Sequence, residues 1–144
     1  VAVSDIIDNT NFIAGTKVTG YGDAASQVVV DQTSTNTAAV SGSAVVNFLG
    51  MTTAYTSAAA TKSILIGGTF ANNTSSSVNL TVEIHDASAG VQAAIASKIP
   101  VPTGSSFVIS DTGKTVLEGL DEVRLYTDVD NAIDANLSIL TGVS

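Results

Sequence analysis

Cysteine and tryptophan are absent from the 144 residues, proline occurs twice, and His85 is the whole supply of imidazole. Without thiols there can be no disulfide, thiolate metal site or cysteine nucleophile, an absence compatible with either redox compartment. One histidine and no cysteine leave no basis for a zinc site. Cations are scarce too: five Lys and Arg stand against thirteen Asp and Glu, for a formal charge of −8. Lys17, Lys62, Lys98, Lys114 and Arg124 are scattered along the chain, so the clustered positive charge that neutralises phosphates is missing and no nucleic-acid partner is expected. No apolar run approaches the ~20 residues that cross a bilayer as a helix, and no membrane partner is expected. The first residues lack the basic start of a secretion signal, and Val1 is small enough to follow a removed initiator Met. The expectation is therefore an intact cytosolic product.

What is present is aliphatic and uncharged. Hydrophobic residues make up 44% of the chain and charged ones only 12%, about half the usual ~25% share. The surface must then be covered by Ser, Thr, Asn and Gly. Such faces are easier to desolvate than charged ones, which predicts a homo-oligomer. The length suits one self-sufficient core burying roughly 70% of the unfolded surface.

The clearest element is residues 77–86, where aliphatic and polar side chains alternate strictly. That period predicts a strand with Val78, Leu80, Val82 and Ile84 facing a core and Asn79, Thr81, Glu83 and His85 facing solvent or a partner. The preceding apolar stretch, residues 61–70, is broken by Gly67-Gly68, which predicts a bulge or the close approach of another backbone. The Asn-rich residues 72–76 are expected to join the two strands as a hairpin. Further strands are predicted near residues 52–55, 106–110, 114–117, 122–127 and 132–140, the last with Ile133, Ala135, Leu137 and Ile139 inward. Turns are expected at residues 57–60, 87–90 and 111–113. The Ala-rich residues 93–99 are open to helix or strand, and Pro100 and Pro102 confine the chain beyond them to extended backbone.

The first fifty residues are less regular. Ser4 can cap a single helical turn at Asp5 to Asp8, Gly20-Tyr21-Gly22 reads as a flexible turn, and short strands fit residues 28–30 and 40–49, separated by a polar run at 31–39. Together these predict an all-β fold: an antiparallel β-sandwich, jelly-roll-like, of about eight short strands at ~8–12-residue spacing. Residues 51–144 form that sandwich, and residues 1–50 form an extended N-terminal arm with one or two short strands.

No catalytic constellation is visible, and the expectation is a protein that is not an enzyme. His85 has Glu83 two residues away on the same face, but a general base also needs its substrate proton within reach, and an ordinary polar-face histidine accounts for it. Asp128, Asp130 and Asp134 form the densest oxygen-ligand cluster. The helix-loop-helix calcium pattern fails there, because Ala132 and Ile133 occupy its fifth and sixth positions and Ile139 its twelfth; an ordinary Asp/Asn-rich turn is the expectation, with a looser turn-formed calcium site on these aspartates as the alternative. Gly20-Tyr21-Gly22 lacks the third glycine of a dinucleotide loop, and no Gly-x-Ser-x-Gly occurs. No cofactor is expected. The outward row Asn79, Thr81, Glu83 and His85 is the candidate interface. A carbohydrate-binding module is the alternative from a different class; it would have to use Tyr21, Tyr55 or Tyr126 as its sugar platform.

One resemblance bears on these expectations. Tyr55-Thr56, Thr61-Lys62-Ser63-Ile64-Leu65-Ile66, Ala71-Asn72-Asn73-Thr74, the alternating strand to Ile84, Ile99-Pro100-Val101-Pro102-Thr103-Gly104, Val116-Leu117-Glu118 and the alternation at residues 134–140 succeed one another across roughly the last two-thirds of the chain. This succession resembles a small β-sandwich found in virion proteins of tailed bacteriophages, particularly cyanophages and other marine phages. Two stretches depart from it: Ser57-Ala58-Ala59-Ala60, where a Pro-Ala-Gly turn is usual, and Glu118-Gly119-Leu120-Asp121, which replaces a tighter Glu-Ala-Gly-Asp turn. The resemblance implies a structural role in the virion, by analogy of fold. A capsid cement or decoration protein is expected, contacting the major capsid protein or neighbouring virion subunits, with a neck, tail or fibre component as the alternative. It implies a protein made in the host cytoplasm and located in the virion, as a homo-oligomer in which a trimer suits capsid local symmetry.

Overall fold

The computed structural model describes residues 3–8, 12, 15–22, 27–32, 47–110 and 114–143. The chain divides into two compact units, Val1–Met51 and Thr52–Ser144. Every regular element among the described residues is a β-strand, and every pairing is antiparallel.

In the first unit, β1 (Ile6–Asp8) pairs with β4 (Asn47–Leu49), and β2 (Val18–Tyr21) pairs with β3 (Val28–Val30). The amides of Ser4 and Ile7 donate to the carbonyls of Val18 and Thr16, and that of Val18 to Asp5, which ties the two ladders together. The helical turn expected at Asp5 to Asp8 is therefore a strand. A single isolated turn carries the full nucleation cost of a helix, whereas the extended form pairs Ile6 with Leu49 and Ile7 with Phe48 and leaves both isoleucines buried. Gly20 and Tyr21 belong to β2 instead of forming a turn. The expected strand at residues 40–49 is present as β4 over its last three residues; its first part, and residues 33–39 of the polar run, lie outside the described residues. Among the described residues four strands precede Gly50, where one or two were expected.

The second unit contains β5 (Thr52–Thr56), β6 (Lys62–Asn72), β7 (Val78–Asp86), β8 (Val91–Val101), β9 (Ser106–Ile109), β10 (Thr115–Leu117), β11 (Glu122–Thr127) and β12 (Ile133–Val143). One sheet runs β5-β11-β7-β8. In the other, β6 pairs with β12 on one side and with β9 and β10, end to end, on the other. Leu65 and Phe70 of β6, Val78, Leu80 and Val82 of β7, Ala96 and Val101 of β8, Ile109 of β9, Leu117 of β10, and Val123 and Leu125 of β11 bury their side chains in one shared cluster. Phe107 stacks on Phe70 with ring centroids 6.1 Å apart.

The expected hairpin at residues 72–76 is a correction. β6 and β7 belong to different sheets, and the stretch between them is an arch that carries the chain across. Alternation shows which face of a strand is buried but not which strand it pairs with. Here Asn72 closes the arch. Its Nδ2 donates to the carbonyls of Ser76 (2.7 Å) and Val101 (2.8 Å), and its Oδ1 accepts from the amide and hydroxyl of Thr74 (2.8 Å each). β7 instead forms its hairpin with β8, through the turn at residues 87–90.

Residues 93–99 belong to the long strand β8, which takes Pro100 into the ladder. β8 is an edge strand, where a missing N–H costs least. Gly67-Gly68 does mark a close approach. A Cβ on Gly67 would sit 2.9 Å from the Ile109 carbonyl, and one on Gly68 would sit 2.8 Å from Leu137 Cδ2. The β6–β12 register slips at this point, between Ser138 and Ile139. Ala135, expected inward, is exposed, while Ile133, Leu137 and Ile139 pack against the core as anticipated. The turn expected at residues 111–113 lies outside the described residues.

Candidate functional site

The outer face of the β5-β11-β7-β8 sheet collects most of the polar side chains singled out above. Register places Glu122 opposite His85, Arg124 opposite Glu83 and Tyr126 opposite Thr81. Across β7 on the other side, Gln92 faces His85 and Ala94 faces Glu83. Arg124 Nε pairs with Glu122 Oε2, and Thr53 Oγ1 of β5 donates to the same oxygen at 3.3 Å. The result is a carboxylate–guanidinium array on the sheet surface, edged by hydroxyls.

The candidate interface row is divided by burial. Asn79 is exposed and His85 half-buried, but Thr81 is 4% and Glu83 6% accessible. These two are not the open contact face that alternation predicts. They lie on the central strand β7, flanked by β8 and β11, and β8 slips register twice beside them. There Lys98 takes a positive φ of 50° and its amide donates to Thr81 Oγ1 at 3.1 Å. A bulge of this kind re-aims side chains in a way the period of two does not encode. His85 Nδ1 is buried without a hydrogen-bond partner among the described residues. No nucleophile stands in register with the imidazole, whose neighbours on the flanking strands are Glu122 and Gln92.

The three aspartates of the oxygen-rich turn are committed separately. Asp128 clamps the start of β7, accepting from the Asn79 amide (2.8 Å) and from Asn79 Nδ2 (2.7 Å). Asp134 accepts from Asn73 Nδ2 at 3.2 Å, and Asp130 is exposed. Among the described residues, no three His, Cys, Asp or Glu side chains are grouped to hold a metal ion. Asp86 folds its carboxylate over the hairpin turn. The Ala89 amide first, and then the Ser88 hydroxyl, hold its pKa below the ordinary aspartate value.

Of the tyrosines proposed as a sugar platform, Tyr55 turns inward and its hydroxyl shares a hydrogen bond with Ser63 (2.9 Å). Tyr126 is half-buried on the outer face, and Tyr21 is 62% exposed in the first unit.

Several structurally decisive polar groups escaped the sequence reading. Ser57 and Ser63 are fully buried and share a 3.0 Å hydrogen bond. Asp121, 5% accessible, accepts from the amides of Ala87 (3.0 Å) and Glu118 (2.8 Å), while its own carbonyl accepts from Ser57 N at 2.8 Å. One signal pointed to Asp121 and Ser57: they lie in the two turns where the chain departs from the phage pattern. Searches against family models, curated proteins and solved structures returned no significant match. Among the described residues, no helix is long and apolar enough to cross a membrane.

Proposed function

We propose that this is a non-enzymatic structural protein of a tailed-phage virion, acting as a cement or decoration protein on the capsid. In this reading residues 51–144 are a jelly-roll-like sandwich that binds the shell. Residues 1–50 are the arm that reaches the major capsid protein or a neighbouring subunit, and the protein works as a homo-oligomer. The observation that carries the reading is the way the phage-like motifs fall on the strands. Tyr55-Thr56 ends β5, Thr61 to Ile66 opens β6, Asn72 to Thr74 begins the arch, the alternating run is β7, Ile99 to Gly104 closes β8, Val116-Leu117 lies in β10, and residues 134–140 lie in β12. Low charge and a polar face whose carboxylates are largely engaged in structural bonds also support a binding role over a chemical one.

The test is the copy number per particle in purified virions, measured by quantitative mass spectrometry. Copies in the hundreds, following the symmetry of a shell, are the expected result. A few tens or fewer would overturn the capsid assignment in favour of neck, tail or fibre. Deleting residues 1–50 should leave residues 51–144 folded by circular dichroism but abolish attachment to the particle; full binding by the truncated protein would remove the arm as the anchor.

A further inference from the structure

The outer face of the β6–β12 sheet is built differently from the polar face opposite. Register aligns Val116, Ile64 and Leu140 directly across β10, β6 and β12. Val116 is 56% and Leu140 49% exposed, and Ile66 (36%) and Val108 (54%) continue the strip along β6 and β9. None of the five belongs to the core cluster. Between them lie Thr69, which register places level with both Val108 and Asn136, and Ser138. The outward positions of β6 and β12 carry charge only towards the strand ends. Lys62 opens β6 at one end, and Asp134, level with Ala71, stands at the other. At ~3.3 Å per residue they are about 30 Å apart.

Contiguous exposed aliphatic surface with an uncharged centre is unusual on a monomer and marks an interaction face. The charge pattern selects the occupant. A second copy turned about a two-fold axis lying in the interface, perpendicular to the strands and level with Ile66, sets Ile66 near its counterpart and Val116 against Val108 of the other copy, while Ile64 and Leu140 meet the uncharged Thr69 and Asn136. The same rotation places Lys62 of each copy, which its own Glu118 already holds at 3.4 Å, near Asp134 of the other, so that a lysine bridges two carboxylates at both ends. A chain of charge −8 meets its own kind with net repulsion, which is smallest where the facing surfaces carry little charge. We infer that the outer face of the β6–β12 sheet is a self-association surface, pairing two copies of this chain antiparallel across such a two-fold axis. A face of about 30 Å by 15 Å on each copy buries roughly 900 Å² in total, below the ~1,200 Å² of stable complexes, so the pair is weak and concentration-dependent. The inference does not rest on the virion reading.

Sedimentation equilibrium of the full chain from micromolar to millimolar concentration tests it. The wild type should pass from monomer to dimer. Val116→Lys combined with Leu140→Lys, both at exposed positions, should stay monomeric throughout with an unchanged far-ultraviolet spectrum. Lys62→Glu should weaken the dimer severalfold at low salt, and Lys62→Glu with Asp134→Lys should restore it, since the swap re-forms both end contacts. Lys62 also pairs with Glu118 at 3.4 Å and Asp134 with Asn73, so the melting temperature of each charge variant is followed in parallel. A wild type monomeric at millimolar concentration, a trimer, or association untouched by the two lysines overturns the inference. Failure of the charge swap to recover the dimer overturns the antiparallel two-fold.

Discussion

Replacing Asn72 by alanine is the sharpest test of how the two sheets of the second unit are joined. The amide makes four hydrogen bonds while only 6% accessible: two donated to the Ser76 and Val101 carbonyls and two accepted from Thr74. A typical bond contributes a net ~1 kcal/mol, and a buried group left without a partner costs about 1–3 kcal/mol. Ser76 is exposed and Thr74 half-buried, so water replaces most of what the arch itself loses. The Val101 carbonyl lies at the buried end of β8, keeps from side chains among the described residues only the long 3.5 Å bond of the Ser77 hydroxyl, and is not so easily rehydrated. The expected loss is about 2–3 kcal/mol, read as a lower urea midpoint at unchanged m-value, since the folded surface is preserved. Asn73→Ala is the control. Asn73 is exposed and, among the described residues, its side chain bonds to Asp134 alone, so its cost should stay below ~0.5 kcal/mol. Asn72→Asp keeps the oxygen that accepts both Thr74 bonds but turns a second carboxylate oxygen towards two carbonyls, and should be at least as harmful as alanine at neutral pH. If Asn72→Ala and Asn73→Ala were equally mild, the arch would not be held by this amide and the account of the crossing would be wrong.

Three further outcomes are expected from the geometry. Asp121→Ala strips the Ala87 and Glu118 amides of their acceptor and should cost about 2–5 kcal/mol by chemical denaturation; a loss under ~1 kcal/mol would mean that water substitutes freely. Gly119→Ala would place a Cβ 2.8 Å from the Ala60 nitrogen and 3.4 Å from the Ala58 carbonyl, forcing two backbones apart. It should lower stability by roughly 1–3 kcal/mol, with a neutral result showing that the 57–60 loop yields. Because hydrogen bonds in the fold depress the Asp86 pKa, its contribution is present above the unfolded-chain value and is lost as pH falls through the folded value. Carboxyl carbon NMR should place the Asp86 midpoint below the ordinary aspartate range, and the Ala89 amide should exchange faster once it is crossed. A midpoint at or above that range would contradict the turn geometry.

Much of the fold was legible in the alternation of side chains. Val78, Leu80 and Val82 are buried where a period of two puts them, because the pleat alone decides which side of a strand meets a core. Gly67-Gly68 announced its close approach because only glycine leaves room for it. The burial of Thr81 and Glu83 was not legible: Thr81 accepts the Lys98 amide where β8 slips register, and Lys98, whose positive φ marks the irregularity, carries no local signature for it. The helical turn at Asp5 failed for a related reason, since local capping chemistry lost to pairing with residues some forty positions away.

By itself, then, the sequence determined that most of the second unit is built from strands, which aliphatic side chains of β7 face inward, and that thiol chemistry has no residue to work with. These come from composition and from a two-residue period, both local properties. Only the tertiary structure decided that β6 and β7 part company at Asn72 into different sheets, that Asp121 and Ser57 hold the turns together, and that Val116, Ile64 and Leu140 line up across three strands. Partner choice and register are set by which buried contacts the whole chain can satisfy at once, and no single segment carries that information.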